Sequence, residues 1–501
     1  MRSIFFLSIC LHLVTVANAQ KSYVPRIETC DCAFKVDTNF TRLIPPEFLN
    51  DFVFQLKKEI AARAECGYLV VPENRKKADA RMIRLPFIIL RSAVGSERKD
   101  PVLFTSGGPG NSSLGWINQG STAGFGELRD CIAFEQRGTR YALPHLRTLE
   151  LDSVMRIAWR KNLNKDSMWM VGVRLYKNAL LKRGIDLAGY NTSETVDDIG
   201  DLLKTLQIDS VNLYGGSYSG GLMTAVLQRY PERVRSLILD SPLPTFSPID
   251  EDEHRHFMEG LHVLCEPVRK DSADEKYADL EHRFDTYFRS IQNKTFTLAM
   301  TDPVTTQELN VDYDKNELLD VVVQALNDGS QIPHVASIIV DIINGTHASY
   351  VRPRIEKRLR GRPHPDGMRM LVYCSDATDY HDEAVIQQFF KLYPYMEGYH
   401  INDVWKPVCD CWEIPPVVPS LKKYFYSDAP VLVADGAMDA ACSPRYITEL
   451  KHYLPNAQAF VFSKLSHGVG GRDFNGMIKQ FLNAPMKKIE LSNLNIIPVE
   501  R

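Results

Sequence analysis

The sequence predicts an α/β fold: a mostly parallel sheet covered by helices on both faces and interrupted by one long, mainly helical insertion. Short, continuously apolar runs alternate with segments of helical period, and they fall into two blocks separated by roughly 190 residues of different texture. Strands that are apolar throughout and spaced by amphipathic helices imply a parallel sheet buried on both sides.

In the first block the apolar runs at 83–90, 102–104, 132–134, 211–214 and 237–239 read as strands. A helix is expected over 193–206, where Val196, Ile199, Leu203 and Leu206 recur at three- and four-residue steps behind the capping candidates Thr192 and Ser193. The second block supplies strands at 431–434 and 459–462 and helices at 444–453 and 477–482. The intervening stretch holds charged helices, aromatic clusters and a basic run at 352–362, which reads as solvated helix faces and not as a binding surface. The expected division is a leader at 1–19, a lead-in at 20–65, a first core segment at 66–244, a cap at 245–428, a second core segment at 429–488 and a tail at 489–501.

With 501 residues, 44% hydrophobic and 24% charged, the composition is that of an ordinary globular protein. The 59 basic side chains nearly balance 62 acidic ones, so bulk charge makes no case for nucleic acid or an anionic membrane surface. Arg2, an apolar run at 4–16 and then Ala17-Asn18-Ala19 have the pattern of a cleaved export signal. That run is shorter than the ~20 residues of a membrane span. No later stretch is long and apolar enough, so an extracellular protein, or a periplasmic one in a bacterium, is expected. Ten cysteines lose Cys10 with the leader, and the odd remainder leaves at least one thiol outside any internal pairing. The pairs Cys30/Cys32 and Cys409/Cys411 lack the spacing of a zinc site, and an oxidising compartment favours disulfides. No metal or organic cofactor is expected. Sequons begin at Asn39, Asn111, Asn191, Asn293 and Asn344 and would accept glycans in a eukaryotic host.

The chemistry concentrates in three loops that each follow a predicted strand. Leu213-Tyr214-Gly215-Gly216-Ser217-Tyr218-Ser219-Gly220-Gly221 leads from an apolar run into a helical segment. A serine at such a strand-to-helix turn is held on a strained backbone with its hydroxyl exposed, and very small neighbours are needed to close the turn. Gly215 and Gly216 end the strand, which favours Ser217 as nucleophile; the frame Ser217-Tyr218-Ser219-Gly220-Gly221 would make it Ser219. A Gly-Ser loop that merely caps a helix is the bland alternative. Ser106-Gly107-Gly108-Pro109-Gly110 follows an earlier strand, so Gly108 and Tyr218 are the candidate oxyanion donors. Downstream, Asp439 follows the strand at 431–434 and His467 the strand at 459–462, giving the order serine, acid, histidine.

These segments resemble the α/β-hydrolase serine peptidases related to proline iminopeptidase and the secreted tripeptidyl aminopeptidases. The family's GGSxG stretch, with a proline fourteen residues past the serine, matches Ser217 and Pro231, and favours Ser217 further. Its HGGPG loop matches Ser106 to Gly110 with serine for histidine, and its DQRG turn matches Glu135-Gln136-Arg137-Gly138 with Glu for Asp. The N-T-x-x-x-x-D-D segment of the secreted members resembles Asn191-Thr192 through Asp197-Asp198. The G-x-x-D-x-x-x-x-P and S-H-G motifs match Gly436 to Pro444 and Ser466 to Gly468. Within the insertion only Cys374-Ser375-Asp376 and Cys411-Trp412 match.

The resemblance implies an α/β-hydrolase fold and a secreted serine exopeptidase acting near free N-termini of peptides, with Ser217, Asp439 and His467 as triad and acidic cap residues holding the substrate ammonium. Asp250 to Glu253 and Asp376 are the candidates for that last role. The N-terminal cysteines are expected to pair near Cys66, and Cys374 with Cys409 or Cys411. A carboxylesterase or lipase on the same scaffold is the nearest rival, since acyl chemistry does not discriminate amide from ester. A catalytically silent binding protein of this fold is the rival from another class.

Overall fold

The computed structural model describes residues 23–36, 53–93, 95, 100–118, 129–271, 275–361, 367–377 and 380–500; the expected leader and the sequon at Asn39 lie outside them. Ten strands form one sheet in the order β1-β2-β3-β5-β4-β6-β7-β10-β11-β12. They are β1 (Arg26–Cys30), β2 (Ala64–Pro72), β3 (Met82–Leu90), β4 (Val102–Thr105), β5 (Cys131–Phe134), β6 (Val211–Gly216), β7 (Val234–Asp240), β10 (Val431–Gly436), β11 (Ala457–Phe462) and β12 (Ile496–Pro498). The six strands β5, β4, β6, β7, β10 and β11 run parallel, while β1, β2, β3 and β12 add antiparallel edges.

Burial on both faces explains the continuous apolar runs. Val431 and Val433 of β10 pack with Leu237 and Leu239 of β7 on one face, while Leu432, Ala434 and Ile238 face the other. Every residue of β10 is buried, whereas β1 and β12 are half-exposed edges. The segment expected to be a mere lead-in supplies β1, and the expected tail supplies β12. Edge strands bury too little apolar surface to announce themselves as runs.

Between β7 and β10 the chain forms helices at Ile249–Asp271, Leu280–Ile291, Lys315–Asn327, Ile332–Ile343, Ala348–Arg360, Gly367–Asp376, Glu383–Leu392 and Lys406–Trp412. One hairpin, β8 (Phe296–Thr301) with β9 (Glu308–Tyr313), interrupts this helical insertion. The insertion has two anchorages. Its first part holds a core of its own around Phe257, Leu261, Phe284, Phe288 and Val322, and that core takes in Met438 and Ala440. Its later part, including Met368, Leu371, Cys374 and Trp412, joins the core on one face of the main sheet.

Two disulfides, Cys32–Cys66 and Cys374–Cys409, fit an oxidising compartment. The second ties the Gly367–Asp376 helix to the Lys406–Trp412 helix. Among the described residues Cys30, Cys131, Cys265, Cys411 and Cys442 are free thiols, and no helix is long and apolar enough to cross a membrane. The sequon residue Asn191 caps the Thr192–Thr205 helix: its Oδ1 accepts from the Glu194 amide at 3.0 Å and its Nδ2 donates to the Ala188 carbonyl at 3.0 Å.

Candidate active site

Ser217 sits between the end of β6 and the Tyr218–Arg229 helix with φ 56° and ψ −132°, a conformation in which a side chain is strained. Two amide hydrogen bonds hold it there, from Ser217 N to the carbonyls of Asp240 (3.0 Å) and Ser241 (3.1 Å). Close backbone approach accounts for the flanking glycines. A Cβ on Gly215 would lie 2.3 Å from the Ser219 carbonyl oxygen, and one on Gly221 would lie 2.3 Å from that of Leu243. Ser219, the alternative nucleophile, is wholly buried. Its hydroxyl donates to the Gly216 carbonyl at 2.8 Å and accepts from the Gly216 amide at 2.9 Å, bracing the turn.

Asp439 and His467 lie in the turns after β10 and β11. His467 Nδ1 and Asp439 Oδ2 are 2.7 Å apart, which leaves Nε2 as the ring atom able to take a proton. Asp439 Oδ1 accepts from the amides of Ala441 (2.8 Å) and Cys442 (2.7 Å). Burial works against both charges, but the pair overcomes it. Asp439 titrates below its ordinary value because of His467, Asp435 and the Cys442 amide. His467 titrates above 6.5, since the charge and hydrogen bond of Asp439, aided by Asp240, outweigh its desolvation. The insertion supports both turns. Met438 and Ala440 on either side of Asp439 enter its core, and the Ser466 hydroxyl, next to His467, donates to the carbonyls of Leu326 and Met438.

Ser217 and His467 line one cavity of about 470 Å³, together with Gly107, Gly108 and Tyr214 of the core and Glu253, Arg369 and Asn402 of the insertion. Ser217 Oγ lies 3.9 Å from Cys442 Sγ. Tyr218 opens its helix, so its amide has no intrahelical acceptor. The loop after β4 lies against this amide through Gly107 more than through Gly108: a Cβ on Gly107 would be 3.5 Å from Tyr218 N and 2.7 Å from the Gly216 oxygen. Gly108 turns at φ 117°, and its carbonyl accepts from Arg369 Nη1 at 2.5 Å.

The Glu135-Gln136-Arg137 turn pins that loop from beneath. Glu135, fully buried, accepts from the Ser113 amide (2.8 Å), the Ser112 hydroxyl (3.0 Å) and the Tyr141 amide (3.2 Å). Gln136 Nε2 donates to Thr105 Oγ1 (2.8 Å) and the Ser106 carbonyl (2.7 Å). Arg137 grips Asp198 with two nitrogens, each at 2.7 Å, and both side chains are inaccessible to solvent. Asp198 of the N-T-x-x-x-x-D-D segment thus anchors this turn from a neighbouring helix.

Of the acids flagged in the insertion, only Glu253 reaches the cavity. Burial pushes its carboxyl well above the ordinary range, and Asn402 Nδ2 donates to it at 2.6 Å. Asp252 is taken up by Arg445 and Tyr446, and Glu251 by the Asp382 amide. Asp250 lies 4.0 Å from His381. Asp376 lies behind Tyr218, where Thr192 Oγ1 donates to it and shares a 2.7 Å hydrogen bond with the Tyr218 hydroxyl. Arg369 and Asn402 carried no local sequence signal of a site, whereas Gly107 and Cys442 lie inside two of the matched motifs.

A family model for the alpha/beta hydrolase fold matches residues 100–257. The serine protease Hip1 of Mycobacterium tuberculosis is 23% identical over 205 residues, 39% of this chain and 39% of that protein. The 2-hydroxymuconate semialdehyde hydrolase of Pseudomonas sp. is 39% identical over 64 residues, 13% of this chain and 23% of that protein. The chain therefore spans less than half the length of these curated relatives. Similar solved structures include an esterase from Thermogutta terrifontis (TM-score 0.33, 14% identity, 81% of this chain and 95% of that chain). An epoxide hydrolase from Bacillus megaterium gives a TM-score of 0.37 at 13% identity, over 83% of this chain and 99% of that chain. The matched segment, the sheet order and the strand-to-helix turn at Ser217 together give the chain an α/β-hydrolase fold.

Proposed function

We propose that the protein is an exported serine exopeptidase that hydrolyses peptide bonds near free N-termini through an acyl-enzyme. The observation that carries this reading is the single cavity shared by Ser217, His467 and the insertion's part-buried Glu253. Ser217 Oγ attacks the scissile carbonyl while His467 Nε2 takes its proton and later gives it to the leaving amine. Asp439 holds the imidazole tautomer and stabilises the imidazolium. The Tyr218 amide and an amide of the Gly107-Gly108 loop receive the developing oxyanion. No step calls for a metal or organic cofactor.

Glu253 gives the preference for a free amino terminus. A carboxyl in this cavity offers an ammonium group a charge-assisted hydrogen bond that an N-blocked peptide or a simple ester cannot use. The partner class is accordingly short peptides with a free N-terminus. The Hip1 similarity agrees with peptidase chemistry, and the two disulfides agree with export.

The test compares peptide amides of one to three residues, free or acetylated at the N-terminus, with simple carboxylic esters. Preference for free amines by about 10-fold or more, the worth of one charged hydrogen bond, supports the reading. Turnover confined to simple esters, with no preference for free amines, replaces it with a carboxylesterase, and no turnover with no labelling by a fluorophosphonate replaces it with a binding protein.

A further inference from the structure

Behind the Asp439–His467 pair lies a second carboxyl that the chemistry above leaves unused. Asp435 belongs to β10 and Asp439 to the turn after it, and their relative exposures are 0% and 1%. Asp439 is well supplied with donors: two amides on Oδ1 and the imidazole on Oδ2. Asp435 is less so: its Oδ1 accepts from the Gly436 amide at 2.7 Å and the Ser241 hydroxyl also bonds the carboxyl, but its buried Oδ2 has no partner in hydrogen-bonding geometry. The Asp435 carboxyl lies within hydrogen-bonding contact of the Asp439 carboxyl.

Two carboxylates cannot both be ionised in contact where water is excluded. Carboxylate oxygens only accept, so the contact is favourable only if one carboxyl carries a proton. Asp439 has more donors and the imidazole beside it, so it is the better-stabilised anion and the proton belongs on Asp435.

We propose that Asp435 is a positioning residue that stays protonated and donates a hydrogen bond to Asp439, holding the two carboxyls at a single negative charge beside His467. This rests on the triad reading. The other ionisable groups facing the pair are Asp240 on β7, Tyr214 on β6, Cys442 and His467. Asp240 is satisfied by the Val469 amide at 2.8 Å and the Tyr214 hydroxyl at 3.1 Å, and burial pushes the Cys442 thiol well up. Burial and the charge of Asp439 likewise push Asp435 far above the ordinary carboxyl range. The single charge matters for the base. A second negative charge would bind a proton on His467 more tightly and remove the free base at neutral pH.

The test is the acid limb of the kcat/KM pH profile in two variants. Asp435→Asn keeps a donor toward Asp439 without adding charge, so its acid limb and kcat are expected to stay at wild-type values. Asp435→Ala removes the donor, and kcat is expected to fall about 10-fold at unchanged KM, with the acid limb moving to higher pH as Asp439 becomes more basic. A limb that moves down by roughly one pH unit in Asp435→Asn would show that a charge was lost, and would overturn the proposal. Equal losses of Tm in both variants with wild-type kcat and pH profile would also overturn it. Should neither variant fold, aspartate carboxyl ¹³C NMR of the wild type still decides: one carboxyl should remain protonated at about pH 8, and fully ionised aspartates contradict the proposal. Fluorophosphonate labelling of the wild type separates the two claims, because failure to label Ser217 brings down the triad and leaves the carboxyl result standing.

Discussion

Glu135 accepts the Ser113 amide at 2.8 Å from a position with no solvent access, and so fastens the loop that carries Gly107 and Gly108 to the turn beneath it. Three donors converge on this one side chain. Replacing Glu135 with Gln puts an NH₂ group against one of those donors and leaves a buried amide unpaired. A stability loss of about 1–3 kcal/mol is expected, together with a fall in kcat at little-changed KM because the oxyanion donors lose registration. Urea unfolding and steady-state kinetics check both halves, and unchanged kcat would remove the loop from the chemistry.

The Arg137–Asp198 pair poses a harsher case. Both partners are buried, so Asp198→Ala leaves the Arg137 guanidinium in the interior with Glu194 at 3.4 Å as its remaining counter-charge, and a destabilisation of about 3 kcal/mol is expected. Arg75, which also bonds Asp198 at 2.7 Å, loses a partner in the same variant. Wild-type stability would contradict a structural role for this ion-pair network.

The fold and the site were legible in the sequence to different depths. Strands such as β10, buried on both faces, read plainly as apolar runs, and Ser217, Asp439 and His467 each follow one. Short half-exposed edges such as β1 and β12 gave no such run. The hairpin strand β8 does alternate, with Leu298 and Met300 buried between exposed neighbours, but the charged helices around it dominate the local pattern. Glu253, Arg369 and Asn402 reach the cavity only because the insertion folds back over the sheet. Nothing local distinguishes Glu253 from the other acids of its helix, and Asp435 reads as an ordinary strand end. The extra serine of Gly216-Ser217-Tyr218-Ser219 left two frames open, and the two bonds of Ser219 to Gly216 give it a bracing role instead of an exposed hydroxyl.

The pH dependence follows from the direction of the His467 shift. Its pKa is raised, and only the neutral imidazole can accept the Ser217 proton, so kcat/KM should fall as pH drops through a value above 6.5. The stability contribution has the opposite sense. The imidazolium–Asp439 interaction is present in full below the unfolded pKa of histidine and is lost as pH rises through the raised folded value. An acid limb well below 6.5 would contradict the closeness of Asp439.

Glu253→Gln keeps the shape of the cavity and removes the charge that an ammonium would draw out. For substrates with a free N-terminus, kcat/KM should fall about 10- to 100-fold, as for one charge-assisted hydrogen bond. N-acetylated substrates and esters should be unaffected. Equal effects on both substrate sets would mean that Glu253 acts on the cavity as a whole and not on the amine.

The central claim is that Ser217 is the nucleophile. It is tested most directly by reacting wild type, Ser217→Ala and Ser219→Ala with a fluorophosphonate probe and locating the adduct by peptide mass spectrometry. The account predicts an adduct on Ser217 in the wild type, none in folded Ser217→Ala, and retained labelling in Ser219→Ala. Labelling that survives in Ser217→Ala, or disappears only in Ser219→Ala, would contradict it.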